Sequence, residues 1–254
     1  MLKNKKTVSE EEWKTRVDLA AAFRLVDLFG WSDLLATHLS ARVPNTNGEF
    51  LINPFGLMFD EITASSLIKV DQEGQKLSDS NCKINPVGLS IHGAIHAKSS
   101  KIKCIIHTHT TAGLGIATQK MGLLPLNQQA LSVIAHIGYH DYNGIAFNQS
   151  ECKSLLRDLA KKNILILRNH GLLTVGESIA EAFMWMYRAE RACRFQLAFQ
   201  QSGAAQKIIN DEVQRITINR NIKANSPDGY RTIGVTEWPA LKRKLDRQNP
   251  GYDT

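Results

Sequence analysis

The chain has 254 residues, of which 43% are hydrophobic and 22% charged, and its formal net charge is +7. A chain of this length and composition buries a full core without disulfides or a structural metal, so a bound metal is expected to serve function. The positive charge is scattered, densest at Lys3, Lys5 and Lys6 and again at Lys242, Arg243, Lys244 and Arg247; with no interleaved aromatic platform it reads as solvated termini and argues against a nucleic-acid groove.

Along the chain, Ser9 with Glu12 three residues on predicts a capped helix whose apolar face runs through Trp13, Val17, Ala20, Ala21 and Leu25 and stops at Gly30. Short strand-like runs follow at Leu39–Val43, Phe50–Ile52 and Leu67–Val70, broken by turn residues. Asn85-Pro86 opens a second helix carrying Gly88, His92 and His96 on one face. Lys103–His107 and Ile164–Leu167 read as buried strands, residues 151–162 as a helix, and Leu172–Val175 as a further strand. Ser178 and Glu181 cap a long helix with an apolar stripe from Ile179 to Leu197, ended by Gly203. Beyond it the chain turns polar, with a turn at Ser226-Pro227-Asp228-Gly229. Strands and helices alternate without a strict βαβ rhythm, which predicts an α/β fold with a mixed sheet and helices on both faces.

No run of about 18 apolar residues predicts a membrane span, and the basic Met1–Lys6 start is not followed by a signal-peptide run. Cys82, Cys104, Cys152 and Cys193 are far apart, with no paired spacing. A reducing, cytoplasmic setting is the expectation.

Two of the eight histidines, His107 and His109, stand two apart after the apolar run Cys104-Ile105-Ile106. In a strand that spacing points both imidazoles to one side, at the carboxyl end where α/β sheets open their ligand crevices. His170 follows the other buried run and precedes Gly171. Three imidazoles leave a fourth position open for water or a small-molecule ligand, the layout of a catalytic metal site.

His107-Thr108-His109-Thr110, Arg168-Asn169-His170-Gly171, Asn53-Pro54-Phe55-Gly56-Leu57, Glu61–Leu67, Gly122–Pro125 and Tyr139–Ile145 occur in order. Together they resemble the class II aldolase/adducin family, most closely its adducin branch, over roughly residues 10–205, with Glu237–Leu241 also similar. The resemblance implies a three-layer αβα sandwich with a mixed central sheet, a homotetramer, and a divalent metal, usually zinc, on three histidines matching His107, His109 and His170. It further implies a head domain over residues 1–205 and an extension over 206–254 packed on that domain or on a neighbouring subunit. In the aldolases of the family the metal acts as a Lewis acid on a ketose phosphate, and a glutamate one turn before the helix histidine moves the proton.

The chain departs from that pattern where the chemistry is done. Counting back one turn from His92 gives Gly88; Phe55 replaces a phosphate-turn hydroxyl beside Gly56; Pro86-Val87 replaces a serine pair; Thr37-His38 replaces the Gly-Asn pair, with Ser40 and Arg42 in place. These losses point away from sugar-phosphate cleavage. His38, Ser40, Phe55, Gly56, Gly88, His92, Tyr139 and His140 are the candidate pocket residues. His92 and His96 either line the pocket or pack, Tyr139–Tyr142 either supplies acid–base groups or forms a hydrogen-bonded loop, and Asp60 and Glu61 read as surface charges. The expectation is a metal-dependent lyase or decarboxylase on a small hydroxy-carbonyl compound without phosphate. The alternative is a non-catalytic assembly module of the adducin-head type, with actin as the partner that kinship suggests and without the long basic tail.

Overall fold

The computed structural model describes residues 8–78, 80–144, 149–226 and 228–254. The basic start at Lys3–Lys6, Ile145 and Pro227 lie outside the described residues. Seven strands, β1 (His38–Arg42), β2 (Phe50–Ile52), β3 (Ile68–Val70), β4 (Cys104–Thr108), β5 (Ile137–His140), β6 (Ile164–Leu167) and β7 (Gly171–Gly176), form one sheet in the order β3-β2-β1-β4-β7-β6-β5. Only β5 and β6 run parallel; the other neighbours are antiparallel, so the sheet is mixed.

Strand alternation builds the layers. Cys104 and Ile106 of β4, with Leu39 and Ala41 of β1, join a large core under α1 (Glu10–Leu28), α3 (Thr111–Ala117), α6 (Ile179–Ser202) and α8 (Glu237–Gln248). Ile105 of β4, with Leu165, Leu173 and Val175, faces the opposite way onto Ile91 and Ile95 of α2 (Pro86–Lys98) and Leu155 and Leu159 of α5 (Gln149–Leu159). Two further helices, α4 (Gln128–Leu131) and α7 (Asp211–Ala224), pack with each other, and α4 lies on α6. This is the three-layer αβα sandwich. By the same alternation His38 and Ser40 stand on the α2 side of β1.

The helix ends follow their local sequence. Ser9 Oγ accepts from Glu12 N–H, Asn85 Oδ1 from Val87 N–H and Ser178 Oγ from Glu181 N–H. Neither Ser–Glu pair closes reciprocally: the Glu12 carboxylate accepts from Arg16 Nε at 2.9 Å and Lys69 Nζ at 3.1 Å, and that of Glu181 from Glu177 N–H at 2.7 Å. Gly203 ends α6 at φ 64°, a left-handed cap that favours glycine.

Elements not read from the sequence include β5, α3, α4, α7 and α8. Ile137–His140 is edge strand β5, so of the segment Tyr139–Tyr142, where a hydrogen-bonded loop was one expectation, the first two residues are strand. The short helix α3 is capped by Thr110, whose Oγ accepts from Gly113 N–H. At the other end of the chain Trp238, Leu245 and Tyr252 are buried in the main core. Ala64 N–H donates to the Tyr252 carbonyl at 2.8 Å and Ser65 N–H to that of Thr254 at 2.9 Å.

Candidate metal centre

His107 lies in β4 and His109 one residue beyond its end, so the strand's period of two sets both rings on one side. His170 comes from the tight turn between β6 and β7. Asn169 adopts φ 56° there, a left-handed conformation that asparagine tolerates. The antiparallel pairing of Thr108 with Leu172 then brings that turn to the end of β4. Gly171 makes the approach feasible, since a Cβ on it would lie 2.5 Å from the Thr108 carbonyl oxygen and 3.1 Å from His109 Cδ2.

The three side chains converge, each offering a nitrogen, with all three ligand atoms within 4.8 Å of one another. His107 Nδ1 lies 2.9 Å from the Leu172 carbonyl oxygen, and His109 Nδ1 lies 2.9 Å from Asp33 Oδ2. A carbonyl and a carboxylate only accept, so both Nδ1 atoms carry the proton and both Nε2 atoms present bare lone pairs. Those two Nε2 atoms face each other at 2.9 Å.

Two lone pairs at that distance repel unless a cation lies between them, either a proton or a metal ion. On His107 the proton is disfavoured at neutral pH. Burial first, then the neighbouring His38, His170 and His109, hold His107 well below the ordinary imidazole range. Burial, then His109 and His140, pull His170 down to about 4. Imidazoles oriented by a carboxylate and a carbonyl are the donor set of a divalent, zinc-type site, with room for a further ligand. The residues present therefore fit such an ion.

Other candidate residues divide into three groups. His38, Gly88 and His92 are buried beside the triad; the His38 ring centroid is 5.1 Å from that of His107, and His38 Nδ1 is 2.8 Å from His92 Nε2. Ser40 stands one step behind, 2.6 Å from His92 Nδ1 and 2.8 Å from His96 Nε2. Tyr139 and His140 are each held by partners outside the triad, and His140 also lines the cavity beside His170. The Tyr139 hydroxyl accepts from Leu123 N–H at 3.0 Å under the Arg168 guanidinium. His140 is clamped at 2.8 Å by Asp158 on Nδ1 and by Glu151 on Nε2. Phe55 is 45% exposed, its backbone bridging to Lys83, and Gly56 has open space around it. Among the described residues no hydrogen bond or ring contact joins Phe55 or Gly56 to the triad.

A cavity of about 240 Å³ opens beside His170, walled by Val87, Ile91, Tyr142, Leu155 and Arg168. A larger one of about 470 Å³ lies at the opposite end of β1 and β4, around Arg42 and Lys103, away from the histidines. The carboxylate of Asp33 was missed in the sequence reading. It sits in the loop after α1, 76 residues from His109, and nothing local marks it as a partner.

Comparison with known proteins gives a consistent picture. Residues 17–197 match the family described as Class II Aldolase and Adducin N-terminal domain. A Pseudomonas aeruginosa protein, provisionally named an aldolase class 2 protein, is 52% identical over 246 residues, covering 96% of this chain and 94% of its own. Alpha-adducin of Rattus norvegicus is 40% identical over 249 residues, which span 94% of this chain but only 34% of the adducin. The crystal structure of an aldolase II superfamily protein from Pseudomonas syringae superposes with a TM-score of 0.93 at 42% identity, covering 98% of this chain and 99% of that one. The chain thus belongs to the class II aldolase and adducin N-terminal domain family.

Proposed function

We propose that this protein holds one divalent cation, zinc in the simplest case, on His107, His109 and His170. We read its activity as that of a metal-dependent carbon–carbon lyase or decarboxylase acting on a small hydroxy-carbonyl compound without phosphate. The observation that carries the reading is the pair of bare Nε2 atoms facing each other at 2.9 Å, each ring fixed by an acceptor on its Nδ1. When bound, the cation supplies Lewis acidity for a substrate carbonyl. Asp33 and the Leu172 carbonyl orient His109 and His107, and burial keeps His107 and His170 neutral and ready to coordinate. A phosphate-free substrate is supported by Phe55 and Val87 standing where family members that cleave sugar phosphates have polar donors.

The test is elemental analysis of the protein purified without added metal, followed by a screen of small hydroxy-carbonyl compounds for carbon–carbon cleavage. One equivalent of metal, lost in His107→Ala and His170→Ala, supports the site; protein that neither retains nor takes up a divalent ion removes it. We place the protein in the cytoplasm as a homotetramer, to be checked by sedimentation. All four cysteines are free, and among the described residues no helix is long and apolar enough to cross a membrane.

A second reading is a non-catalytic assembly module. The 40% identity to alpha-adducin and the absence of any side chain at Gly88 favour it. Co-sedimentation with actin filaments at low salt distinguishes the two, since this module binds and the lyase stays in solution.

A further inference from the structure

Gly88 lies inside α2, in ordinary helical conformation, where glycine costs about 0.5–1 kcal/mol relative to alanine. Its backbone does not need the freedom, so space is the reason for it. A Cβ at residue 88 would lie 2.6 Å from His38 Cδ2, 2.8 Å from Cγ and 2.9 Å from Nε2. The His38 imidazole, reaching over from β1, occupies the volume that a helix side chain would fill.

That ring is held from behind by a buried hydrogen-bonded chain. His38 Nδ1 meets His92 Nε2 at 2.8 Å, His92 Nδ1 meets Ser40 Oγ at 2.6 Å, and Ser40 Oγ meets His96 Nε2 at 2.8 Å. None of the four residues is more than 3% exposed. The chain has a favoured direction: the Ile102 carbonyl beside buried His96 Nδ1, which has no other partner, favours the proton there, so His96 Nε2 accepts from Ser40 Oγ, Ser40 Oγ accepts from His92 Nδ1 and His92 Nε2 accepts from His38 Nδ1. Running this way, it leaves His38 Nε2 a bare acceptor.

His38 Nε2 has no partner among the described residues, and it is not one of the buried side-chain atoms sealed off without one. It borders the metal-ligand cluster, with its ring centroid 5.1 Å from that of His107.

We propose that His38 is the residue that grips the small ligand at the metal site: its Nε2 hydrogen-bonds an oxygen of an α-hydroxy-carbonyl compound bound there, and residue 88 is glycine to seat the ring. As a bare acceptor that nitrogen takes a hydrogen bond from the ligand's hydroxyl. This inference rests on the metal reading above.

The test uses the full chain loaded with Co(II), read by its d–d absorption, and acetohydroxamate, a small oxygen chelator, as the probe. His38→Ala is expected to weaken acetohydroxamate about 10-fold, the worth of one hydrogen bond, with Co(II) affinity unchanged. The shape of the imidazole gives two sharper variants. The amide of His38→Asn reaches the Nδ1 position only and is expected to lose the probe as alanine does; that of His38→Gln reaches the Nε2 position and is expected to retain it. Gly88→Ala, which keeps every polar group but displaces the ring, is expected to weaken the probe as well. Equal acetohydroxamate affinity in wild type, His38→Ala and Gly88→Ala overturns this inference while leaving the metal site intact. Loss of Co(II) in His38→Ala overturns it too, by making His38 a ligand. Wild-type protein that takes up no Co(II) brings down the metal reading and this inference together.

Discussion

Asp33 and His109 are 76 residues apart in sequence and 2.9 Å apart in space. The carboxylate sets the tautomer of a ring whose other nitrogen points at His107. Outer partners of this kind typically contribute 10–100-fold to metal affinity. Asp33→Asn is therefore expected to weaken metal binding by about that factor, measured by competition with a chelator, without unfolding the chain, since the Asp33 side chain is half exposed. At the same scale, His96 makes a prediction about acid. Burial first, and then Arg42, push this imidazole down to about 3. In the unfolded chain it takes up a proton near its ordinary value of 6.5, so between these values the unfolded state binds the extra proton. Stability is complete above about pH 6.5 and is lost as the pH falls towards 3. His96→Gln is expected to flatten that fall by about 1.4 kcal/mol per pH unit between pH 4 and 6. Urea denaturation at several pH values measures it, and an unchanged slope refutes the assignment.

Among the elements, the β6–β7 turn and the end of β4 form the critical joint. Gly171 allows the two backbones to close, because a Cβ there would press on the Thr108 carbonyl oxygen at 2.5 Å. Gly171→Ala is expected to cost about 1–3 kcal/mol from overpacking. Because the displaced atoms lie between His109 and His170, it is also expected to reduce metal affinity, which a titration beside the denaturation curve resolves. By contrast α1 is anchored by charge. Arg16, 2% exposed, donates to the Ala64 and Leu67 carbonyls and pairs with Glu12. Its role is to tie that helix to the segment leading into β3.

For the whole molecule, the metal is expected to act as a stabiliser, because its ligands come from β4 and from the β6–β7 turn and meet only in the folded state. A ligand present at 1,000 times its Kd adds about 4 kcal/mol. Removing the metal with a chelator is thus expected to lower Tm, in calorimetry, by roughly 8–16 °C for a chain of this size. An unchanged Tm after verified metal removal contradicts a site that spans these elements.

Sequence alone determined the αβα plan, the central strands and the metal-ligand candidates. These are local signals: buried strands read as continuous apolar runs, caps as Ser9, Asn85 and Ser178, and the paired histidines as a two-residue spacing at a strand end. It also marked Gly88 as a position without a side chain. Only the tertiary structure decided what fills that position, which carboxylate stands behind His109, and that Tyr139 and His140 are held by other partners. Edge strand β5 escaped the sequence reading because its four residues carry no long apolar run, and only pairing with β6 defines it. The physical reason is common to all of these. Periodicity reports which way a side chain leaves its own backbone, whereas hydrogen-bond partners and excluded volume depend on which distant backbone folds against it.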